Sequence, residues 1–347
     1  MAQNSTFFIL VTVVLVGLGF LVHQEFGDQK FETKMHKIVN QVNSLDSTWK
    51  ATYYPNWMEK SYGYLKSSGG VAWEQRPSSI RMKAFSAEEI EDTPENFDSA
   101  DHWPHCETMK DIRDQSYCGS CWAFGVTECM SDRACIDTGK IVRISPEDMI
   151  NCCHACGLGC HGGWGYPAWL FFKNVGVVTG YLYGLNKDYC KPYSVAPCVH
   201  KDPKPGQKLC PAEFPDTTKC VKKCNPEYIG PSYEEDKYFA SDVYSLSGEK
   251  HIMAEISRHG PVQTNFQVFA DFKAYKSGVY QHLVGDLEGL HSVKIVGYGV
   301  EDGVKYWNVA NSWGTNWGVN GFFKMIRGIN DCNFEKEVVA GTVAAKK

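Results

Sequence analysis

The hydrophobic pattern of this chain changes period three times. It opens with a continuous apolar run, Phe7 to Val22, broken only by Thr12 and two glycines. The run is shorter than the roughly 20 residues that a membrane span needs, so it reads as a secretory signal peptide over residues 1–22, with an uncleaved anchor as the alternative. Next, Met35, Ile38, Val39, Val42 and Leu45 recur at spacings of three and four, which predicts a helix. Gly69-Gly70 and a charged stretch around Asp92 to Pro94 then mark an exposed boundary. Beyond it, Trp122 to Ile136 is apolar and free of proline, which suits a helix. After about Ser245 the text turns to short β-like runs, at Val293–Val296, Val304–Trp307 and Phe322–Met325, interrupted by a helical stretch from Lys250 to His259. The pattern predicts a helix-rich half, a β-rich half, and a cleft between them.

Composition sharpens this. With 347 residues, 43% apolar and 22% charged, the chain is globular rather than disordered. A net charge of −5 argues against a nucleic-acid partner held by a basic patch. All fifteen cysteines lie between Cys106 and Cys332, so the first third is cysteine-free. The count is odd, which leaves at least one sulfur outside any set of internal bridges. Behind a signal peptide or an anchor, such a chain enters an oxidising compartment where cysteines pair. The sole Asn-x-Ser/Thr sequon, Asn4-Ser5-Thr6, precedes the apolar run, so the remainder offers no N-glycan site.

The densest chemical signal is DQSYCGSCWAFG, Asp114 to Gly125. Cys118-Gly119-Ser120-Cys121-Trp122 fits the local pattern of thiol proteases. The same C-x-x-C also fits a redox pair, or half of a zinc site completed by Cys152, Cys153, His154, Cys156 and Cys160, or structural cysteines. A nucleophilic thiol needs a base, and the base needs an orienter. His291 lies directly before a predicted strand and Asn311 just after the next one, so two strand ends in one lobe can aim both at one place.

Four longer stretches carry a resemblance. They are Ile112 to Gly125, CHGGWGYPAW at Cys160 to Trp169, YKSGVY at Tyr275 to Tyr280, and ANSWGTNWGVNGFF at Ala310 to Phe323. With them the chain resembles papain-type cysteine proteases, and among these the cathepsin B group. The resemblance implies an α+β, papain-like two-lobed fold: a helical lobe at about 105–240, a β-barrel lobe at about 245–340, and an N-terminal inhibitory propeptide. It implies an endopeptidase that needs no cofactor and no metal. Cys121 is then the nucleophile and His291 its partner, a thiolate–imidazolium pair that hydrolyses peptide bonds through an acyl-enzyme. Asn311 holds the imidazole, Trp313 shields that bond, and Gln115 donates to the oxyanion. Gly162 and Gly163 let the substrate backbone lie close, and Glu337 sits at the base of a pocket that accepts Arg. The stretch from Cys121 to His291 is longer than the roughly 130–150 residues usual for the papain type. The excess resembles the occluding loop of cathepsin B, residues 198–210, which captures a substrate's C-terminal carboxylate and so permits release of C-terminal dipeptides. Cathepsin B has two consecutive histidines there; this chain has His200-Lys201, and His200 is expected to pair with Asp114. Leu290 and Ser292 flank His291 where Gly and Ala are usual, and Ser116-Tyr117 replaces Gly-Ser.

The same resemblance pairs Cys106 with Cys135, Cys118 with Cys160, Cys152 with Cys220, Cys153 with Cys156, Cys190 with Cys224 and Cys198 with Cys210. Cys121, Cys129 and Cys332 stay free. Residues 23–92, including Ser47-Thr48-Trp49-Lys50-Ala51, resemble a propeptide, so the mature enzyme is expected to begin near Thr93 and run over 93–347. Peptide and protein substrates, the chain's own propeptide and cystatin-type inhibitors are the implied partners. A membrane enters only if the apolar run stays as an anchor. The implied location is lysosomal, vacuolar or extracellular. The rival readings are a catalytically silent homologue acting as a binding protein, and a zinc module built on Cys152 to Cys160.

Overall fold

The computed structural model describes residues 31–54, 81–199, 204–211 and 213–344. The apolar run, His200 and Lys201 lie outside the described residues. Among the described residues, no helix is long and apolar enough to cross a membrane.

Among the described residues, ten strands form one sheet: β1 (Trp49–Ala51), β2 (Arg81–Met82), β3 (Phe97–Asp98), β4 (Ala240–Leu246), β5 (Val262–Phe269), β6 (Tyr275–Tyr280), β7 (Leu287–Glu301), β8 (Val304–Ala310), β9 (Phe322–Ile326) and β10 (Val338–Val343). Their order is β1-β6-β9-β8-β7-β5-β10-β4-β2, with β3 paired to β7. The long strand β7 is antiparallel to both β5 and β8. In that register His291 lies opposite Phe266 and Lys294 opposite Ala310.

The helical lobe is built round the helix Cys121–Thr138. Every residue from Cys121 to Cys135 is buried, so this helix has no solvent face. It ends at Gly139, whose φ of 71° permits the left-handed cap, and whose N–H bonds the Cys135 carbonyl at 2.8 Å. A helix buried on all sides must satisfy its polar groups internally. Asp132 meets Lys294 of β7 at 2.8 Å, and Arg133 meets Glu255 at 2.9 Å while donating to the Pro261 and Gly341 carbonyls. Those partners all belong to the β-rich lobe, so the buried charges join the two lobes. The helices Pro146–Cys152 and Gly165–Asn174 complete the helical lobe.

The described residues of the cysteine-free segment, 31–54 and from Arg81 on, pack largely on the β-rich lobe. A helix over 31–44 buries Phe31, Met35, Ile38 and Val42 in the same apolar cluster as β5, β7 and β8. Asn43 bonds Ala51 through both its amide groups, which turns the chain into β1. There Trp49 packs fully buried against Tyr275 and Tyr280, and its indole donates to the Gln281 carbonyl at 2.9 Å. β1 thus extends one edge of the sheet at β6. β2 extends the other edge at β4, where Arg81 meets Asp242 at 2.7 Å.

Six disulfides are formed: Cys106–Cys135, Cys118–Cys160, Cys152–Cys220, Cys153–Cys156, Cys190–Cys224 and Cys198–Cys210. Cys121, Cys129 and Cys332 are free and buried. Cys118 bonds Cys160 rather than Cys121, so the C-x-x-C is not a dithiol pair. Cys152, Cys153, Cys156 and Cys160 offer no thiolate to zinc. That removes the chemistry of a zinc module.

Candidate active site

Cys121 is the first residue of the buried helix, and Ser120 before it makes no side-chain cap. The Trp122 N–H, which such a cap could occupy, is left to the sulfur. Backbone N–H groups of Ser292, Trp122 and Cys121 itself all draw the thiol pKa down. The bond from Ser292 brings the helix start against β7 beside His291. His291 lies four residues inside β7, not before it as the sequence pattern suggests, because β7 pairs with β5 back to Leu287.

Asn311 follows β8 directly. Its Oδ1 lies 2.7 Å from His291 Nε2 and 2.8 Å from the backbone N–H of Ser312. A backbone N–H can only donate, so the atom it meets is the amide oxygen. An oxygen at that position requires His291 Nε2 to carry a proton. In the neutral imidazole, Nδ1 is then the basic nitrogen. Trp313 lies over the pair, its ring centroid 4.7 Å from that of His291, and is itself nearly buried.

Gln115 is oriented by similar reasoning. Its Nε2 donates to the Cys118 carbonyl at 2.9 Å, and its Oε1 accepts from Ser312 Oγ at 2.7 Å. The amide therefore presents nitrogen toward the helix start. Asn311 and Gln115 are both set by Ser312, which sequence reasoning passed over as the middle of a motif.

Burial dominates the electrostatics. It pushes the Cys121 thiol up to about 11, against the pull of the backbone N–H groups. It pushes His291 down to about 4, although the Asn311 bond favours the imidazolium. In this buried arrangement desolvation opposes the charged form of both groups, while the backbone N–H groups and the Asn311 bond favour it.

The glycines have a packing reason. A Cβ on Gly163 would lie 2.5 Å from the Cys156 carbonyl oxygen and 2.6 Å from the Trp122 ring, so no larger residue fits. Gly162 has φ 104°, a conformation that L side chains rarely adopt. Glu337 is largely buried immediately before β10. The insertion is closed by Cys198–Cys210 and by two backbone bonds of Val199, to Lys208 and Cys210. It borders a cavity of about 370 Å³ with Trp313, Asp114 and Tyr54 of the N-terminal segment. The expected pair of His200 with Asp114, and the role of Lys201, fall outside the described residues.

A buried thiol at a helix start, an imidazole held by an amide, and two packed lobes define a cysteine-type peptidase. The sequence model described as "Papain family cysteine protease" matches residues 93–342, and the chain belongs to that family. Within it the chain is cathepsin B-like. It is 47% identical to cathepsin B-like cysteine proteinase 6 of Caenorhabditis elegans, over 72% of this chain and 66% of that one. It is 42% identical to cathepsin B-like cysteine proteinase 4 of the same organism, over 88% and 91%. The solved structure of proCathepsin B S9 from Trypanosoma congolense superposes with TM-score 0.76 at 36% identity, covering 89% of this chain and 98% of that one. The recombinant stem bromelain precursor, at 20% identity and TM-score 0.66, shares the fold. The chain is a zymogen of this α+β fold. Its disulfides and its cathepsin B relatives point to the secretory pathway.

Proposed function

We propose that this zymogen matures to an endopeptidase in which Cys121 is the nucleophile, His291 the base, Asn311 the orienter and Gln115 an oxyanion donor. The observation that carries this is the double bond pattern at Asn311 Oδ1, which leaves His291 Nδ1 free to take the thiol proton. The thiolate sulfur then attacks the scissile carbonyl carbon. The oxyanion that forms is held by the Gln115 amide and the Cys121 backbone N–H, each worth about 3 kcal/mol. As the tetrahedral species collapses, His291 gives its proton to the leaving amine, and the acyl group stays on sulfur. Water then attacks the thioester, gives a proton to His291, and releases the acid, while the proton returns to the thiolate.

Residues 23–92 are the inhibitory propeptide in this reading, and the mature enzyme begins near Thr93. The family match starts at residue 93, and the stretch from Glu91 to Asn96 is largely exposed to a cutting protease. Residues 1–22 are a signal peptide. Gly162 and Gly163 line the substrate strand, Glu337 receives Arg in its pocket, and the 198–210 insertion, which carries His200 and Lys201 in its sequence, serves dipeptide release. Lysosomal or extracellular work on proteins, with cystatin-type inhibitors as regulators, fits this chemistry. The test is hydrolysis of an Arg-Arg amide substrate by the acid-matured chain. Activity that disappears in Cys121→Ser, and that favours Arg less in Glu337→Gln, supports the reading. Activity that survives Cys121→Ser refutes it.

A further inference from the structure

Ser116, next to Gln115, has φ 52°. That is a left-handed backbone which non-glycine residues adopt at a cost, and it persists only when the surroundings over-determine it. Three contacts do so. Its N–H donates to Asp114 Oδ1 at 2.7 Å. Its hydroxyl donates to the Ala196 carbonyl oxygen at 2.9 Å and lies 3.3 Å from Cys198 Sγ. Cys198 is disulfide-bonded and has no proton to give, and the one hydroxyl proton goes to Ala196, so the sulfur contact adds packing rather than a second hydrogen bond. Ala196 and Cys198 are where the chain enters the insertion. From Cys198 the constraint passes to Val199, whose bonds to Lys208 and Cys210 close the base of the loop. The described residues of the insertion are otherwise largely exposed.

We infer that Ser116 is a positioning and specificity residue: its strained backbone aims a hydroxyl that anchors the entry of the 198–210 insertion to the catalytic segment. The inference rests on the reading of that insertion as the closure of one cleft end. A glycine at this position would adopt the same φ without strain but supply no anchor. An anchored loop holds a substrate's terminal carboxylate in register and keeps longer chains out. A loosened loop does neither.

The experiment compares Ser116→Gly and Ser116→Ala with the wild type, all expressed as the full chain and matured at acid pH. It measures kcat and KM on a dipeptide-releasing peptide and on an internally cleaved peptide, together with the melting temperature. In both variants the dipeptide-releasing kcat/KM is expected to fall about tenfold, mostly through KM, while internal cleavage rises. Gly relieves the strain, so Ser116→Gly should melt above Ser116→Ala, and the kinetic loss should not follow stability. Dipeptide release restored in Ser116→Gly would overturn the anchor, since activity would then track strain alone. So would a parallel fall of kcat on both substrates, which would mean that Ser116 acts through Gln115. A wild type that releases no dipeptides would sink the closure reading instead. The anchor is then judged on limited proteolysis within the exposed residues 204–209, which quickens in both variants if it exists and stays unchanged if it does not.

Discussion

A Cβ placed on Gly125 would lie 2.8 Å from Ser292 Oγ and 3.2 Å from the Val293 backbone nitrogen. Gly125 is one helical turn after Cys121, and Ser292 is the residue after His291. The missing side chain therefore sets how closely the helix of Cys121 approaches the strand of His291. Ser292 Oγ in turn accepts from Gln263 Nε2 at 2.9 Å, so it is not free to move aside.

Gly125→Ala should push helix and strand apart by a few tenths of an ångström. Reaction geometry is sensitive to such shifts. The expected result is a fall in kcat/KM of at least about tenfold, with an overpacking cost of roughly 1–3 kcal/mol in stability. Steady-state kinetics and thermal melting of the matured variant measure both.

Asn311→Ala removes the oxygen that holds His291 Nε2–H. The imidazole is then free to rotate and to change tautomer. kcat should fall about 10²-fold with KM nearly unchanged, because the lost bond orients the base rather than the substrate. A KM effect of that size would assign Asn311 to substrate binding.

Much of this was legible in the chain, and the gaps have physical causes. The spacing of Met35, Ile38 and Val42 revealed the N-terminal helix because one face alone is buried; Leu45 lies just past its end and is exposed. The helix from Cys121 carries no such stripe, since it is buried nearly all round, and was legible from its apolar content and its lack of proline. β1 and β2 have three and two residues, too few to show alternation, and they are strands only because distant edges accept them. His291 was set outside its strand because the β-like run was read from Val293; the pairing of Gly289 with Val268 and of Leu287 with Phe269 carries the strand further back. Nothing in the letters marks Ser116 as left-handed.

Trp49 anchors the N-terminal segment in the apolar cluster of the β-rich lobe, and a buried Trp→Ala change costs about 3–5 kcal/mol. Most of that falls on the docking of the segment rather than on the enzyme beneath it. The Trp49→Ala chain should mature faster at a given acid pH and begin to do so at higher pH than wild type. Gel time courses of the two chains give the comparison.

Glu128 lies fully buried in the helix Cys121–Thr138. Burial pushes its carboxyl up to about 7, against the pull of Lys294 and Arg113 and with the push of Asp132 and Asp111. The folded chain therefore keeps a proton that the unfolded chain loses at its ordinary carboxyl value. Below that value both states are protonated and nothing is lost. From there up to about pH 7 stability falls, and above pH 7 the cost is complete, on the order of a few kcal/mol. Glu128→Gln should flatten this fall, so its melting temperature at neutral pH gains relative to wild type while the two converge under acid. Melting curves across pH 4 to 8 check the sign.

The central claim is that Cys121 is the nucleophile of an enzyme made as a zymogen. The most direct measurement maps an epoxide-type thiol label by mass spectrometry, on the intact chain and on the acid-matured chain, across pH. With its thiol pushed up to about 11, Cys121 of the intact chain should label slowly at neutral pH and faster as pH rises. After maturation the label should fall on Cys121 alone, rapidly and already at acid pH, and vanish in Cys121→Ser. Label on Cys129 or Cys332 instead, or equal rates before and after maturation, would contradict the account.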